Sequence, residues 1–540
     1  MPIKPTYPGL YIEELPATSF TINPAPTSVT VLIGYAHPFR TRPENFGRAL
    51  PLASFTEFER AFGGYVASPV FDGNLALAAG QFFMNGGSEL YAVGLRPRFH
   101  APGGGDVPGT AVAASDTSVA PVDVADLMNP VHEFQKAGAG PKLVAVGLEP
   151  DHPEMPLNVE FTPKVSPARA DIRVTYGTRV ETFRDVEPTD ASVIEKVNGV
   201  SALVRFRQGT AGSWPADFDF KSNTTPAGAA LAPPTLPADA TVYAAQDFTD
   251  VFKDDTELDK VDVFNLMAIP GVTAGAVLGP ALAFCERKLA FFVMDPPPTT
   301  SSTDPPPAAI EKLMSEGGIE KSTNGAIYFP PLAALHPVTG DPIELPPSGT
   351  VAGVYARTDT QFGVWKAPAG VDAGVRGATG VAADGRLTDM RHGRLNMVGV
   401  NALRTFPGVG TVVFGARTLH GGDKDTAYQQ WKYVPVRRMA LFIEQTLKAN
   451  LTWVVFRPND EPLWAAIRAT IGNFMLSLFR QGALQGGSPS QAFRVKVDEE
   501  TTTPDDVNNG RVNIVVAFAP LKPAEFVVIQ IAQLAGQTAA

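Results

Sequence analysis

The pattern of apolar positions near the start of the chain predicts a layer of strands and helices. Ser28–Ala36 (SVTVLIGYA) is a continuous apolar run of the length of a buried strand. Helical spacing follows at Phe55–Phe62 and at Leu75–Asn85, the second of which is stopped by two glycines. Glu89–Leu95 then returns to a strand pattern. This strand–helix–strand order indicates an α/β fold.

The pattern changes at about residue 101. The stretch APGGGDVPGT introduces a series of short alternating strand patterns, which a Pro/Ala/Thr-rich linker closes near residue 245. The strand and helix pattern then resumes, with a helix predicted at Ala276–Lys288. We therefore predict that residues 101–245 form an inserted, mostly β domain, and a separate domain in series is the alternative.

The last part of the chain predicts a compact mixture of helices and strands. Two helices are expected, at Val436–Asn450 and Pro462–Gly482, with a strand at Leu451–Phe456 between them. Strands at Ala492–Val497 and Val512–Phe518 follow. The second helix has one wide apolar face, which we expect to lie in the core.

The final segment, Glu525–Ala540, contains a single charge, on Glu525, and a strongly β-prone stretch at Phe526–Ile531. It has no Lys or Pro that would prevent pairing with another chain. Apolar residues fall on both faces, so the strand needs neighbours on each side. It therefore predicts a strand that pairs within the chain or with another copy, which favours assembly over catalysis.

Composition narrows the function classes. With 540 residues the chain is long enough for about three domains, and its 44% hydrophobic content is that of a soluble globular protein. No apolar run is long enough to span a membrane, and the first residues lack the apolar segment of a secretory signal. A single cysteine, Cys285, predicts synthesis in a reducing cytosol. The net charge of −11 argues against nucleic acid as a partner.

Motifs for catalysis are missing from the sequence. Its seven histidines are scattered singly, and there is no HExxH, no GxSxG and no phosphate-binding glycine loop. We therefore predict no enzymatic activity, no cofactor and no metal site. The alternative, an α/β enzyme with an inserted lid, would require a cleft lined by groups with shifted pKa values.

Several long motifs in the same order resemble the tail sheath family of contractile phage tails and contractile injection systems. They include YPGLYIEEL with VLIGYA, QFFMNGG with ELYAVGL, and LNMVGVNALRTFPGVGTVVFGARTL. The most specific are YVPVRRMALFIEQTLK, WVVFRPNDEPLWAAIR, QGALQGGSPSQAF and APLKPAEFVVIQI. The resemblance covers about residues 1–95 and 250–540, whereas residues 101–245 match no family motif.

The resemblance implies a fold class and an action. The fold class is α/β (α+β) and multidomain, with mixed sheets flanked by helices, an inserted outer domain and extended terminal arms. Sheath proteins form a homo-oligomer of hexameric rings stacked helically around an inner tube, and contraction drives the tube through a target envelope. The implied partners are the inner tube protein and the baseplate and cap or terminator proteins, with assembly in the bacterial cytoplasm into a phage tail or phage-tail-like particle. The alternative is another tail assembly protein, such as a terminator, cap or baseplate component.

The resemblance also implies a division of the chain. We expect an N-terminal linking arm at residues 1–27, a discontinuous middle domain at 28–100 plus 246–420, and the inserted domain at 101–245. A C-terminal core domain at 421–521 and a linking arm with a donated strand at 522–540 complete the chain.

Two sets of contact residues are expected from the resemblance. The arms of neighbouring subunits are expected to join through Leu10, Tyr11, Ile12, Phe526, Val527, Val528, Ile529 and Ile531, with Pro520 and Pro523 flanking a semi-rigid hinge. The side of the helix Pro462–Gly482 that lies opposite its core face is the candidate contact with the inner tube, through Arg468, Ala469, Asn473, Leu476 and Arg480.

Three arginines have open or structural interpretations. Arg437 and Arg438 either join neighbouring subunits or pair with acids within their own domain. Arg417, in the GARTL string, is interpreted as part of a turn and of core packing.

Overall fold

The fold was analysed on a computed structural model, which describes residues 21–38, 40–66, 73–99, 122–123, 131–134, 143–148, 157–165, 168–187, 189–208, 244–296, 310, 314, 320–382 and 386–530. The strands, in chain order, are β1 Thr30–Tyr35, β2 Ala49–Leu52, β3 Leu90–Leu95, β4 Arg98–Phe99, β5 Val122–Asp123, β6 Val131–Phe134, β7 Leu143–Gly147, β8 Leu157–Val165, β9 Ala168–Tyr176, β10 Arg179–Val186, β11 Val204–Gln208, β12 Leu266–Ala268, β13 Phe291–Met294, β14 Gly325–Phe329, β15 Leu332–Leu335, β16 Pro342–Leu345, β17 Gly380–Val381, β18 Val400–Phe406, β19 Gly410–Val413, β20 Phe493–Lys496 and β21 Val515–Phe518. The α-helices are α1 Phe55–Phe62, α2 Asn74–Met84, α3 Asp190–Asn198, α4 Ala245–Thr249, α5 Gly275–Lys288, α6 Ser348–Phe362, α7 Asp389–Met397, α8 Val434–Asn450, α9 Glu461–Arg480, α10 Pro489–Ala492 and α11 Pro504–Asn508.

A central sheet of eight strands, in the order β19-β18-β14-β13-β12-β1-β3-β2, organises the middle of the molecule. The six inner strands run parallel, and the edge strands β2 and β19 are antiparallel to their neighbours. Thr30 lies opposite Leu90 on one side and Leu266 on the other, so strands from before residue 100 and after residue 245 share one sheet. The inner strands are continuously apolar because both faces of the sheet are covered.

Each face of this sheet has its own hydrophobic core. One face packs against α5, through side chains such as Leu282 and Phe284. The other packs against α2 and α6, with Phe82 and Tyr355 among the buried residues. The predicted α/β class is thereby confirmed, with helices on both faces of a mostly parallel sheet.

The described part of residues 122–208 forms smaller antiparallel sheets. Strands β8, β9 and β10 form one meander, and β6, β7 and β11 form a second sheet. Ile172, Val174 and Val193 lie in a hydrophobic cluster whose members all come from this part of the chain. A separate core of this kind is typical of an independently packed unit.

The C-terminal body consists of α8, α9 and the two-stranded sheet β20–β21. The core face of α9 is buried, including Ile467, Ile471 and Phe474, and each such side chain contributes about 1.5–3 kcal/mol when it leaves water. The strand predicted at Leu451–Phe456 is wrong. Thr452–Val454 is a 3-10 turn, because Trp453 and Val454 fold back onto the same core instead of extending.

Candidate assembly site

The C-terminal arm leaves the body at the end of β21. The Gln485 backbone N–H donates to the carbonyl of Ala519 (2.9 Å), and Leu484 and Pro520 form an isolated bridge, so the arm is held at its start. Phe526 and Val528 are 72% and 82% exposed, and no strand pairs with them among the residues of this structure. Such exposure of consecutive large apolar side chains marks a surface that needs a partner.

Glu525 is anchored, although its neighbour Phe526 is exposed. Its carboxylate accepts two parallel hydrogen bonds from Arg417, Nε to Oε1 at 2.7 Å and Nη2 to Oε2 at 2.8 Å. Asn396 Nδ2 and the Tyr433 hydroxyl donate to the same carboxylate at 2.8 and 3.1 Å. A bidentate Arg–carboxylate pair is among the stronger polar contacts in proteins, because both partners are charged and the geometry is matched.

Arg417 is held from several directions. Its side chain is only 1% exposed, and its Nη1 also donates to Asp423 (2.9 Å) and to the Asn396 carbonyl (2.7 Å). The backbone of Arg417 is bound to Asn401 of β18, which donates to its carbonyl at 2.8 Å and accepts from its N–H at 2.7 Å. The guanidinium is therefore fixed relative to the central sheet.

The charges in this cluster stabilise each other. Burial by itself lowers the pKa of Arg417, but the hydrogen bond and the charge of Glu525, together with Asp423, outweigh it and raise the pKa above its usual value. Burial likewise raises the pKa of Glu525, but hydrogen bonds from Arg417 and Asn396 more than offset this and lower it. Both groups therefore stay charged at neutral pH.

Residues 23–27, at the base of the N-terminal arm, are hydrogen-bonded along α8, and we call this segment the strap. The Asn23 backbone and the Asn450 side chain exchange two hydrogen bonds, at 2.9 and 2.8 Å. The Ala25 N–H donates to the Thr446 hydroxyl (3.0 Å), and Arg438 Nη2 donates to the carbonyl of Thr27 (2.9 Å). The expected contact residues Leu10, Tyr11 and Ile12 lie outside the described residues, as does Ile531 of the C-terminal arm.

Arg437 pairs with an acid of its own helix, which is one of the two interpretations left open by the sequence, whereas Arg438 pairs with an acid of α6, outside the expected C-terminal domain. Arg438 forms a fully buried bidentate pair with Asp359 of α6, at 2.9 and 2.6 Å. Arg437 donates to the side chain of Asn324 (2.8 Å) and reaches Glu444 (3.2 Å). The Arg438–Asp359 pair fastens the C-terminal body to the helix layer of the central sheet.

The sheet β20–β21 has two outer edges. Phe493 pairs with Phe518 and Lys496 with Val515, and backbone groups on the far side of each strand face away from this ladder. No further strand is hydrogen-bonded to this sheet among the residues described. A two-stranded sheet is marginal by itself, and each open edge is a template for another strand.

The candidate tube-contact residues of α9 divide into two groups. Ala469, Asn473 and Arg480 are exposed on one side of the helix, whereas Leu476 is half-buried. Arg468 is already engaged within the chain, because it donates to the Val497 carbonyl and pairs with Glu461. The structure therefore brings three of the five residues to one accessible stripe.

Two features were missed by the analysis of the sequence. The first is that Arg417 pairs with Glu525, in addition to its place in a turn and in the core. The sequence offered one signal for this pair, which is that both residues belong to strings that resemble family motifs. Phe456 is fully exposed and has a left-handed backbone (φ 66°), which is costly for a residue with a side chain. Nothing in the local pattern distinguishes such a phenylalanine from a strand residue.

Metal binding and thiol chemistry each need particular side chains in a particular setting. Within the described ranges, no group of three or more His, Cys, Asp and Glu side chains is arranged to hold a metal ion. Cys285 is buried, and burial raises the pKa of its thiol well above the usual value. No helix in the part of the chain covered by the structure has the length and apolar character needed to cross a membrane.

Comparison with known proteins finds a family match in the C-terminal part of the chain. Residues 426–533 match the family described as phage tail sheath C-terminal domain. The tail sheath protein of Vibrio phage KVP40 is 27% identical over 182 residues, which are 34% of this chain and 25% of that protein. A putative prophage major tail sheath protein of Pseudomonas aeruginosa is 27% identical over 183 residues, 33% of this chain and 44% of that protein. The alignments thus span less than half the length of these relatives.

Solved structures extend the likeness to nearly the whole chain. A chain of the contracted helical sheath of the anti-feeding prophage has a TM-score of 0.56 at 22% identity, covering 98% of this chain and 100% of that one. A chain of the contracted sheath complex of an extracellular contractile injection system, PVC, has a TM-score of 0.56 at 20% identity, covering 98% of each chain. The resemblance drawn from the motifs is therefore confirmed, and these likenesses establish the fold.

Proposed function

We propose that this chain, which has the fold of contractile tail sheath proteins, is the repeating subunit of a contractile sheath. Its copies assemble as hexameric rings stacked helically around an inner tube, and contraction of the sheath drives the tube through a target envelope. The fold likeness to sheath chains in contracted particles supports this proposal. The observation that carries it is the exposed apolar segment that follows Glu525.

The exposed segment acts as a donated strand. Residues 526–531 add to the sheet of a neighbouring subunit by main-chain pairing, and the open edges of β20–β21 are the acceptor. Each main-chain hydrogen bond contributes about 1 kcal/mol net, so one strand is a modest contact. Repetition over many subunits produces a continuous net that remains connected while the subunits move.

The N-terminal arm makes a second link. Residues Leu10, Tyr11 and Ile12 provide its apolar contact with another subunit, and the strap of residues 23–27 on α8 holds its root. Two arms attached to the same body join each subunit to more than one neighbour. This connectivity favours a sheath subunit over a cap or terminator, which needs no strand for donation to its own copies.

The inner tube contacts the exposed stripe of α9. Ala469 and Asn473 allow close approach, and Arg480 pairs with acidic groups on the tube. Partly solvated ion pairs contribute only about 0–1 kcal/mol each, so such contacts release when the sheath contracts. The baseplate and terminator proteins bind the two ends of the assembly, which forms in the bacterial cytoplasm and belongs to a phage tail or tail-like particle.

Negative-stain electron microscopy of the purified protein tests this function. Long hollow cylinders with helical striation are expected from the full chain. Deleting residues 526–540 should leave a folded subunit that no longer forms cylinders, whereas deleting only residues 535–540 should preserve them. Cylinders that persist without residues 526–540 would contradict strand donation, and the absence of any polymer from the full chain together with purified tube protein would contradict the sheath function.

A further inference from the structure

Two strings that resemble family motifs, far apart in sequence, meet at one contact. Arg417 belongs to the GARTL string and Glu525 to the string APLKPAEFVVIQI, 108 residues later. Their side chains form the bidentate pair at the root of the C-terminal arm, with oxygen–nitrogen distances of 2.7 and 2.8 Å. The pair lies immediately before the first exposed residue of the arm, Phe526.

We propose that Arg417 and Glu525 form a latch that sets the register and the exit direction of the donated strand. This inference rests on the proposed function, because it assigns a role to the start of the strand that the sheath subunit donates. Arg417 acts as a positioning residue: it holds Glu525, and Glu525 determines which face of the strand each following side chain occupies.

The register argument follows from the geometry of strands. Successive side chains of a strand point to opposite faces, so a shift by one residue moves every side chain to the other face. In an extended strand, the alternation of this sequence puts Val527, Ile529 and Ile531 on one face and Phe526 and Val528 on the other. No residue lies between the anchored Glu525 and the strand, so the anchor leaves no slack to absorb such a shift.

The latch is rigid enough to define this register. The Arg417 side chain is 1% exposed and that of Glu525 is 19% exposed. Asn401 holds the Arg417 backbone on β18, and Tyr433 and Asn396 hold the Glu525 carboxylate from two further directions. The arm follows the C-terminal body in sequence, but it is anchored to the central sheet.

The anchor can be weakened without unfolding the subunit. Without the Glu525 carboxylate, Arg417 still pairs with Asp423 and donates to the carbonyls of Asn396 and Gly421. Removing one partner of a buried ion pair is strongly destabilising when the other charge stays buried without a partner. Arg417 keeps its other partners, so this cost does not arise here. A Glu525→Gln variant accordingly keeps the folded subunit while it weakens the anchor.

Two single-residue insertions test the register. An alanine inserted between Glu525 and Phe526 shifts the strand relative to the latch, whereas an alanine inserted between Lys522 and Pro523 lengthens the segment before the latch. We expect the first insertion to reduce the sedimentable, cylinder-forming fraction by about tenfold or more. The second should retain most of it, because Lys522 and Ala524 are exposed and the loop can adjust.

Substitution of the anchor provides an independent test. Glu525→Gln should lower the cylinder-forming fraction, and Glu499→Gln, at an exposed carboxylate of the same body, should not. Thermal unfolding should show both variants to be as folded as the parent. If both insertions assemble equally well or equally poorly, or if Glu525→Gln assembles like the parent, the latch is overturned. Failure of strand donation itself is distinguished by the deletion of residues 526–540, which would then leave the cylinders intact.

Discussion

At the residue scale, buried charges are placed where parts of the molecule meet. Arg438 joins α8 to α6 through Asp359, and Arg417 joins the C-terminal arm to β18. Each arginine also donates to backbone carbonyls, so its charge is satisfied from several sides. The Arg438–Asp359 pair specifies one arrangement of α8 on α6, because any other arrangement leaves a charge buried without its partner.

The Arg438–Asp359 pair is expected to be costly to break. Asp359→Asn or Arg438→Met should each reduce the free energy of unfolding by about 3–5 kcal/mol, because the remaining charge stays buried. Chemical denaturation of the free subunit measures this effect. Asp389→Asn, which removes the exposed partner of Arg404, is the control and should cost less than about 1 kcal/mol. If Asp389→Asn reduced the free energy of unfolding as much as Asp359→Asn, the Arg438–Asp359 pair would not be the buried contact described here.

Asp295 makes the stability of the subunit depend on pH. It is buried at the end of β13, and it accepts hydrogen bonds from the Ser348 N–H and hydroxyl (both 2.7 Å) and from the Gly271 N–H (2.9 Å). Burial raises the pKa of Asp295 from 3.8 to about 6, in spite of these hydrogen bonds. Between these two values the folded state binds more protons than the unfolded state, so stability falls as the pH rises through this window.

Substitution of Asp295 by Asn should remove the part of the pH dependence of stability that this carboxyl causes. The pKa of this carboxyl differs by about two units between the folded and unfolded states. This difference corresponds to a fall of up to about 3 kcal/mol in the free energy of unfolding between pH 4 and pH 6. Asp295→Asn should therefore show a smaller fall in denaturant midpoint over this range, together with a pH-independent cost from its lost acceptor. Asp341→Asn, at an exposed loop position, is the matched control. An unchanged pH slope in Asp295→Asn would show that the carboxyl does not titrate in this window.

At the element scale, the packing of α2 on α6 depends on two glycines of α6, which have no side chain. A Cβ on Gly349 would lie 2.5 Å from the Ala78 side chain, and one on Gly353 would lie 2.5 Å from the carbonyl oxygen of Phe82. Both neighbours belong to α2, and at both positions the added Cβ would come within 3 Å of the α2 backbone, which cannot move aside. The two helices can approach this closely only because α6 has glycine at these positions.

Alanine at these positions is expected to separate the helices. Gly353→Ala should lower the free energy of unfolding by about 1–3 kcal/mol, in spite of the higher helix propensity of alanine. Gly472→Ala in α9, where a Cβ meets nothing within 4 Å, should instead stabilise by up to about 1 kcal/mol. Thermal unfolding of the two variants compares them directly, and a stabilised Gly353→Ala variant would refute the close approach.

At the scale of the whole molecule, the chain leaves the central sheet for the predicted insertion and returns from it at neighbouring points. Tyr35 of β1 lies opposite Leu95 of β3, where the chain leaves the sheet. The hydroxyl of the same tyrosine accepts a hydrogen bond from the N–H of Ala244 (3.3 Å), where the chain returns. The two ends of the intervening segment are therefore close in space.

Replacement of residues 100–243 by a short flexible linker should preserve both folding and assembly. A Gly/Ser linker of about ten residues spans roughly 17 Å, which is sufficient for ends that meet at one tyrosine. We expect a soluble subunit that still forms cylinders of reduced outer diameter in electron micrographs. Aggregation of the shortened chain would contradict the division of the chain into a middle domain and an insertion.

Most helices and strands, and the apolar character of the C-terminal arm, follow from local patterns in the amino-acid sequence. Helices such as α1 and α9 and strands such as β1 were predicted because their patterns depend on residues a few positions apart. Leu451–Phe456 is the exception: its apolar residues predict a strand, but packing of Trp453 on the C-terminal core bends the chain into a turn.

Contacts between groups far apart in sequence depend on how the elements pack in three dimensions. Glu525 is the one charge in an apolar segment, but nothing near it in sequence indicates that its partner is Arg417, 108 residues away. The same holds for Arg438, whose partner was left open until α6 placed Asp359 beside it. Periodicity reports which face of an element is buried, whereas the choice of a partner across the core depends on how the elements pack, and that is a property of the whole fold.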